Sequence, residues 1–247
     1  MNRAVSILRS AATLLLFAIF GAGALPFSLL LVFVRNRGVA QRYVRGIWTP
    51  FMKLMAFFRL LSIDCRVPEN IRGAVIVANH PSLLDVLVIL VSIPRTFFIA
   101  KDSLRNNPFC MMSVRRVSFP NDARLLEEAP KWLAAGWNVL IFPEGTRSPS
   151  SVKMNEFKRG AAQLALRSKA PICVCTINYS RDLLNKRHPF WDVGEEEVVC
   201  RVRLAAKREP SNADTYPGEL HNAAKMLTGE MRQIILNAIE NSYARVS

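Results

Sequence analysis

His80 and Asp85 are the first residues of this chain whose types and spacing could do chemistry. They lie in Asn79-His80-Pro81-Ser82-Leu83-Leu84-Asp85, directly after an apolar run that ends at Ala78. A carboxylate bonded to one imidazole nitrogen fixes the tautomer and leaves the other nitrogen as a base. Such a base can take the proton of an alcohol as its oxygen attacks a thioester carbonyl. A second polar cluster, Phe142-Pro143-Glu144-Gly145-Thr146-Arg147-Ser148, ends another apolar run. Arg147 offers a planar fork of donors matched to a phosphate, and Thr146 and Ser148 add hydroxyls. Gly145 permits a positive φ or a close backbone approach. Taken singly, each cluster also has an ordinary reading: a capped helix with a surface ion pair, or a turn with a surface arginine. His188, in a charged loop, and His221, in a C-terminal helical pattern, have no such surroundings and read as solvent-facing.

The elements that must position these residues are short apolar runs alternating with helical patterns. Strands are expected over Gly73–Ala78, Thr96–Ala100, Arg116–Phe119, Asn138–Phe142, Pro171–Asn178 and Glu197–Leu204. Helices are expected over Leu83–Val91, Ala123–Ala135, Glu156–Ser168 and Leu220–Asn241, with Pro81 in the first turn of one and Pro130 kinking or splitting another. The alternation predicts an α/β domain with a mostly parallel sheet flanked by helices. Chemistry gathers where strands of such sheets end, and both polar clusters fall there.

Ahead of this body, residues 11–34 carry no charge and are long enough to cross a bilayer as a helix. Gly21, Gly23 and Pro26 weaken its middle, and basic residues flank both ends: Arg3 and Arg9 before, Arg35, Arg37, Arg42 and Arg45 after. A single span and a helical hairpin that re-enters one leaflet both fit. Between Trp48 and Ile63, Trp48, Phe51, Met52, Met55 and Phe58 recur at helical spacing, as in a helix on the bilayer or under the body. Residues 1–63 therefore read as a membrane-binding helical segment and residues 64–247 as the enzymatic domain. Lys and Arg number 33 against 19 Asp and Glu, a net charge of +14 that suits an anionic membrane face or nucleic acid. The basic residues are scattered without interleaved aromatics, which disfavours nucleic acid. Cys65, Cys110, Cys173, Cys175 and Cys200 follow no zinc spacing and read as inert thiols, so no metal is expected.

Together the two clusters carry a resemblance. NHPSLLD and FPEGTRS are similar to the paired signatures of the lysophospholipid acyltransferases, whose best-known members are 1-acylglycerol-3-phosphate acyltransferases. The similarity covers roughly residues 45–205. It implies the glycerolipid acyltransferase fold, preceded by a membrane-embedded helix or hairpin. It also implies that His80 is the general base, that Asp85 orients it, and that Arg147 binds the acceptor phosphate in a pocket shaped by Glu144, Gly145 and Thr146. Lys101, in Ala100-Lys101-Asp102-Ser103-Leu104, would assist with phosphate. No cofactor is implied; acyl-CoA or acyl carrier protein would donate the acyl group to a lysolipid among membrane lipids, at the cytoplasmic face of a bacterial inner membrane. The chain departs from the pattern after Pro108 and at Pro171-Ile172-Cys173-Val174-Cys175, blocks linked to acceptor recognition. Phosphatidate formation from 1-acylglycerol-3-phosphate is the expected reaction, and another lysolipid, such as lyso-ornithine lipid, is the alternative acceptor. A thioesterase with a cysteine nucleophile and a non-enzymatic basic module are the rival classes.

Overall fold

The computed structural model describes residues 7–9, 11–13, 15–16, 18–20, 30–107, 111–150, 153–184, 196–209 and 219–244. The apolar runs become β1 Leu61–Arg66, β2 Val75–Ala78, β3 Thr96–Ala100, β4 Ser118–Pro120, β5 Asn138–Ile141, β6 Ile172–Tyr179 and β7 Val198–Arg208. They form one seven-stranded sheet in the order β1-β7-β6-β2-β5-β3-β4. Every pairing is parallel except β6 with β7. Every residue of β2, β5 and β6 is buried, as expected of strands covered on both faces. β2 lies between β6 and β5, so its end opens at the middle of the sheet.

Helices α1 Arg37–Phe57, α2 Asp85–Ser92, α3 Asp102–Arg105, α4 Met111–Val117, α5 Arg124–Ala134, α6 Gly160–Ser168 and α7 Leu220–Ala244 supply the cover. The α/β architecture and the mostly parallel sheet are as expected. Several elements differ. The helix expected to reach Ile63 begins earlier, at Arg37, and ends at Phe57; Arg59, at φ 53°, turns the chain into β1. β1 pairs with β7 and runs through the position between residues 63 and 64. Pro81 precedes α2 rather than opening it, because Asp85 is the first helical residue. α5 runs on through Pro130, since Leu125, Ala129 and Leu133 bury one continuous stripe that holds both halves against the body.

α1 is built into this body. Asn36 caps it, its side chain accepting from Val39 N–H at 3.0 Å. Phe51, Met52 and Met55 are buried beneath it, whereas Phe57 and Phe58 are exposed. The Arg37 guanidinium lies over Phe119 at 4.4 Å and Phe97 at 5.0 Å. Upstream, residues 7–9, 11–13, 15–16 and 18–20 are helical, and the Phe20 ring packs at a tilt against Phe51 with centroids 4.5 Å apart. Among the described residues no helix is long and apolar enough to cross a membrane. The expected break at Gly21, Gly23 and Pro26 lies outside the described residues, as do Arg3, Pro108, Cys110 and His188.

Candidate active site

β2 delivers His80 through a clamp one residue earlier. Asn79 is fully buried, and its side-chain amide pairs with both backbone groups of Ile177 on β6. Nδ2 donates to the Ile177 carbonyl at 2.8 Å, and Oδ1 accepts the Ile177 N–H at 2.8 Å. The strand end is thereby tied to its neighbour before the chain turns away. The His80 ring then stacks on Phe142, at the end of β5, with centroids 4.1 Å apart and planes 13° apart.

Asp85 reaches back to this ring from the first position of α2. Its Oδ2 lies 2.8 Å from His80 Nδ1 and also accepts the Ser82 N–H at 2.8 Å. A carboxylate at a helix N-terminus is favoured by the helix dipole. Asp85 is fully buried, while the His80 side chain is 16% exposed. In the tautomer that places the ring proton on Nδ1, facing Asp85, Nε2 presents its lone pair, and it makes no hydrogen bond among the described residues. The other Asp85 oxygen, Oδ1, accepts from Tyr179 Oη at 2.7 Å. Tyr179 closes β6 one residue beyond the expected strand, and its position carried no signal in the sequence beyond the end of an apolar run.

The second cluster is stitched to the first. Glu144 Oε1 accepts the His80 N–H at 3.2 Å and the Ser148 hydroxyl at 2.6 Å. The Ser148 N–H donates to the His80 carbonyl at 2.7 Å. Glu144 Oε2 accepts from the Asn155 N–H at 2.7 Å and from Asn155 Nδ2 at 2.9 Å. Glu144 is thus a buried buckle with both oxygens engaged, and Asn155 was not singled out by the sequence. Gly145 has φ +66°, and a Cβ there would stand 3.1 Å from Lys158 Nζ, so the lysine stem runs over the glycine. Arg147 is half-buried and donates from Nη1 to the Leu184 carbonyl at 2.9 Å. Thr146 is half-buried beside it.

Lys101 stands apart from this constellation. It is exposed just beyond β3, a strand separated from β2 by β5, and bonds to none of these residues. His221 is exposed on α7, with Nε2 2.7 Å from Arg159 Nη1. Cys173, Cys175 and Cys200 are buried and Cys65 is partly buried. Burial pushes the Cys173 thiol up to about 11 and the Cys175 and Cys200 thiols higher still, which makes them poor nucleophiles. Among the described residues no three His, Cys, Asp or Glu side chains gather as metal ligands.

A family model described as acyltransferase matches residues 62–178, the stretch that contains both clusters. A 1-acyl-sn-glycerol-3-phosphate acyltransferase of Chlamydomonas reinhardtii is 32% identical over 163 residues, 60% of this chain and 47% of the relative. One from Saccharomyces cerevisiae is 28% identical over 212 residues, 78% of this chain and 67% of the relative. The chain thus spans 47% and 67% of the lengths of these two relatives. The crystal structure of the 1-acyl-sn-glycerophosphate acyltransferase PlsC from Thermotoga maritima superposes with a TM-score of 0.74 at 25% identity, covering 100% of both chains.

Proposed function

We propose that this chain is a membrane-bound O-acyltransferase of the lysophospholipid acyltransferase family that converts 1-acylglycerol-3-phosphate to phosphatidate. The observation that carries the reading is the His80 ring, held at Nδ1 by a fully buried Asp85 and tied through Glu144 and Ser148 to the turn bearing Arg147. Nε2 takes the proton of the acceptor hydroxyl as its oxygen attacks the thioester carbonyl. Collapse of the tetrahedral adduct breaks the C–S bond, and the departing thiolate receives that proton from the imidazolium. Asp85 stabilises the imidazolium between the two transfers. No acyl-enzyme forms, so the rate gain comes from holding both substrates against one base. The donor is an acyl thioester of coenzyme A or of acyl carrier protein, and Arg147 grips the acceptor phosphate.

The test is purified protein with lysolipid acceptors and both thioester donors, with products read by mass spectrometry. Phosphatidate should form, and His80→Ala should lower kcat by about 10²–10⁴ while the protein stays folded. Near-wild-type turnover in folded His80→Ala would overturn the base. One observation favours a second reading, an acceptor without a phosphate monoester: an Arg147 donor is already directed at the Leu184 carbonyl. In that case the wild-type protein would prefer a neutral or zwitterionic lysolipid in the same panel.

A further inference from the structure

Asp85 is completely buried, and a carboxylate there needs a donor on each oxygen. Oδ2 is served by its own segment, through the Ser82 N–H and His80 Nδ1. Oδ1 is served from another strand, by Tyr179 at 2.7 Å. Tyr179 lies two residues beyond Ile177, the residue clamped by Asn79. One strand, β6, therefore references both the backbone entering His80 and the carboxylate behind it. Across the antiparallel ladder, Tyr179 faces Cys200 on β7.

We propose that Tyr179 is a positioning residue for the general base: its phenol O–H fixes Asp85 so that the carboxylate holds the His80 ring with Nε2 aimed at the acceptor hydroxyl. This rests on the reading of His80 as the base. The phenol is a permanent donor, because burial and the neighbouring Asp85 push Tyr179 well above its ordinary range. The titratable groups that face the phenol are Asp85 and Cys200, the thiol on β7 also hydrogen-bonding to it; Cys65 and Arg203 act on that thiol, and Glu144 from the β5 turn holds the His80 N–H. Cys200, raised by burial, also keeps its proton.

Tyr179→Phe tests the proposal, since it keeps the ring and removes only the donor. The expected result is a kcat lower by on the order of tenfold, with donor and acceptor KM unchanged within about twofold. The acidic limb of the pH–rate profile should move up by about half a unit, because the less-shared carboxylate charge holds the imidazolium more tightly. A wild-type kcat and limb in folded Tyr179→Phe would overturn the proposal. So would a fall in kcat with an unmoved limb, since that traces the effect to packing. His80→Ala is measured alongside. Turnover in that variant sinks the base itself, whereas an inactive His80→Ala beside a wild-type-like Tyr179→Phe sinks only the role of the tyrosine.

Discussion

At the scale of single residues, the two polar clusters are one device because Glu144 and Ser148 bond to the backbone of His80. Glu144 has both oxygens occupied, so its contribution is to hold the turn, whereas Arg147 remains the cation beside it. If Arg147 grips a phosphate monoester, Arg147→Ala should mainly raise the acceptor KM. A charge-assisted hydrogen bond is worth roughly 1.5–3 kcal/mol, so kcat/KM should fall by about 10- to 150-fold. Arg147→Lys should restore only part of this, because a point charge cannot reproduce the fork. Donor KM should change little. The Leu184 carbonyl also accepts the Leu83 N–H at 3.2 Å, so a thermal melt belongs beside the kinetics to separate loop loosening from lost binding. Equal losses on acceptors with and without the phosphate would discard the phosphate contact. His80, Asp85 and Arg147 were legible in the sequence because strand ends expose polar side chains in recognisable order. Tyr179 was not, since a tyrosine closing an apolar strand looks like core, and only the strand order brings it to Asp85.

At the scale of elements, the inner strands were legible because burial on both faces leaves unbroken apolar runs in β2, β5 and β6. β1 was not. Its sequence Leu-Ser-Ile-Asp-Cys-Arg alternates apolar and polar residues as a strand does, but the helical pattern before it could be extended across its first half to Ile63. β7 begins one residue later than expected and continues to Arg208, because its outer half, Ala-Ala-Lys-Arg, pairs through the backbone while lacking an apolar face. The antiparallel pairing of β6 with β7 had no sequence signal, since pairing direction depends on a connection whose path composition does not encode. What matters for chemistry is how β2 is locked to β6 at the site. Asn79 supplies that lock, and Asn79→Ala would strand a buried N–H and a buried carbonyl at Ile177. Each stranded group costs about 1–3 kcal/mol, so the unfolding free energy should fall by about 2–6 kcal/mol. A denaturant midpoint reads this directly, with an unchanged slope marking an effect on stability alone. Because the same lock precedes His80, kcat should fall as well. A variant with wild-type stability would show that the backbone of β2 and β6 holds the site unaided.

At the scale of the whole molecule, the question is how this body meets a bilayer. Ile7, Leu15, Ile19, Leu30 and Phe33 are exposed, as are Phe57 and Phe58 at the far end of α1, in a chain of net charge +14. Such apolar and basic surface favours an anionic interface, with the apolar part resisting salt and the charged part screened by it. The fold limits where the N-terminal part can be cut. Leu31 is fully buried, and Arg37 donates to the Ser118 carbonyl at 2.7 Å while covering Phe97 and Phe119. A deletion must therefore stop before Leu30. Removing residues 1–29 takes away Phe20, which rests on Phe51 and Trp48, so a loss of about 1–2 kcal/mol is expected from that aromatic contact. The remaining protein should fold and keep most of its turnover on acceptor dispersed in detergent. On bilayer acceptor its activity should fall by tenfold or more, on the order of the loss that follows when two attachment modes are reduced to one. Its residual binding to anionic vesicles should come from the basic surface and the few exposed apolar side chains left at Phe33, Phe57 and Phe58, and so should weaken steeply at high salt while the full chain stays bound. Vesicle flotation at low and high salt, with activity measured on both forms of acceptor, separates these outcomes. A truncated protein that floats with vesicles at high salt and acylates bilayer acceptor at the full rate would place the membrane attachment in α1 and the body instead.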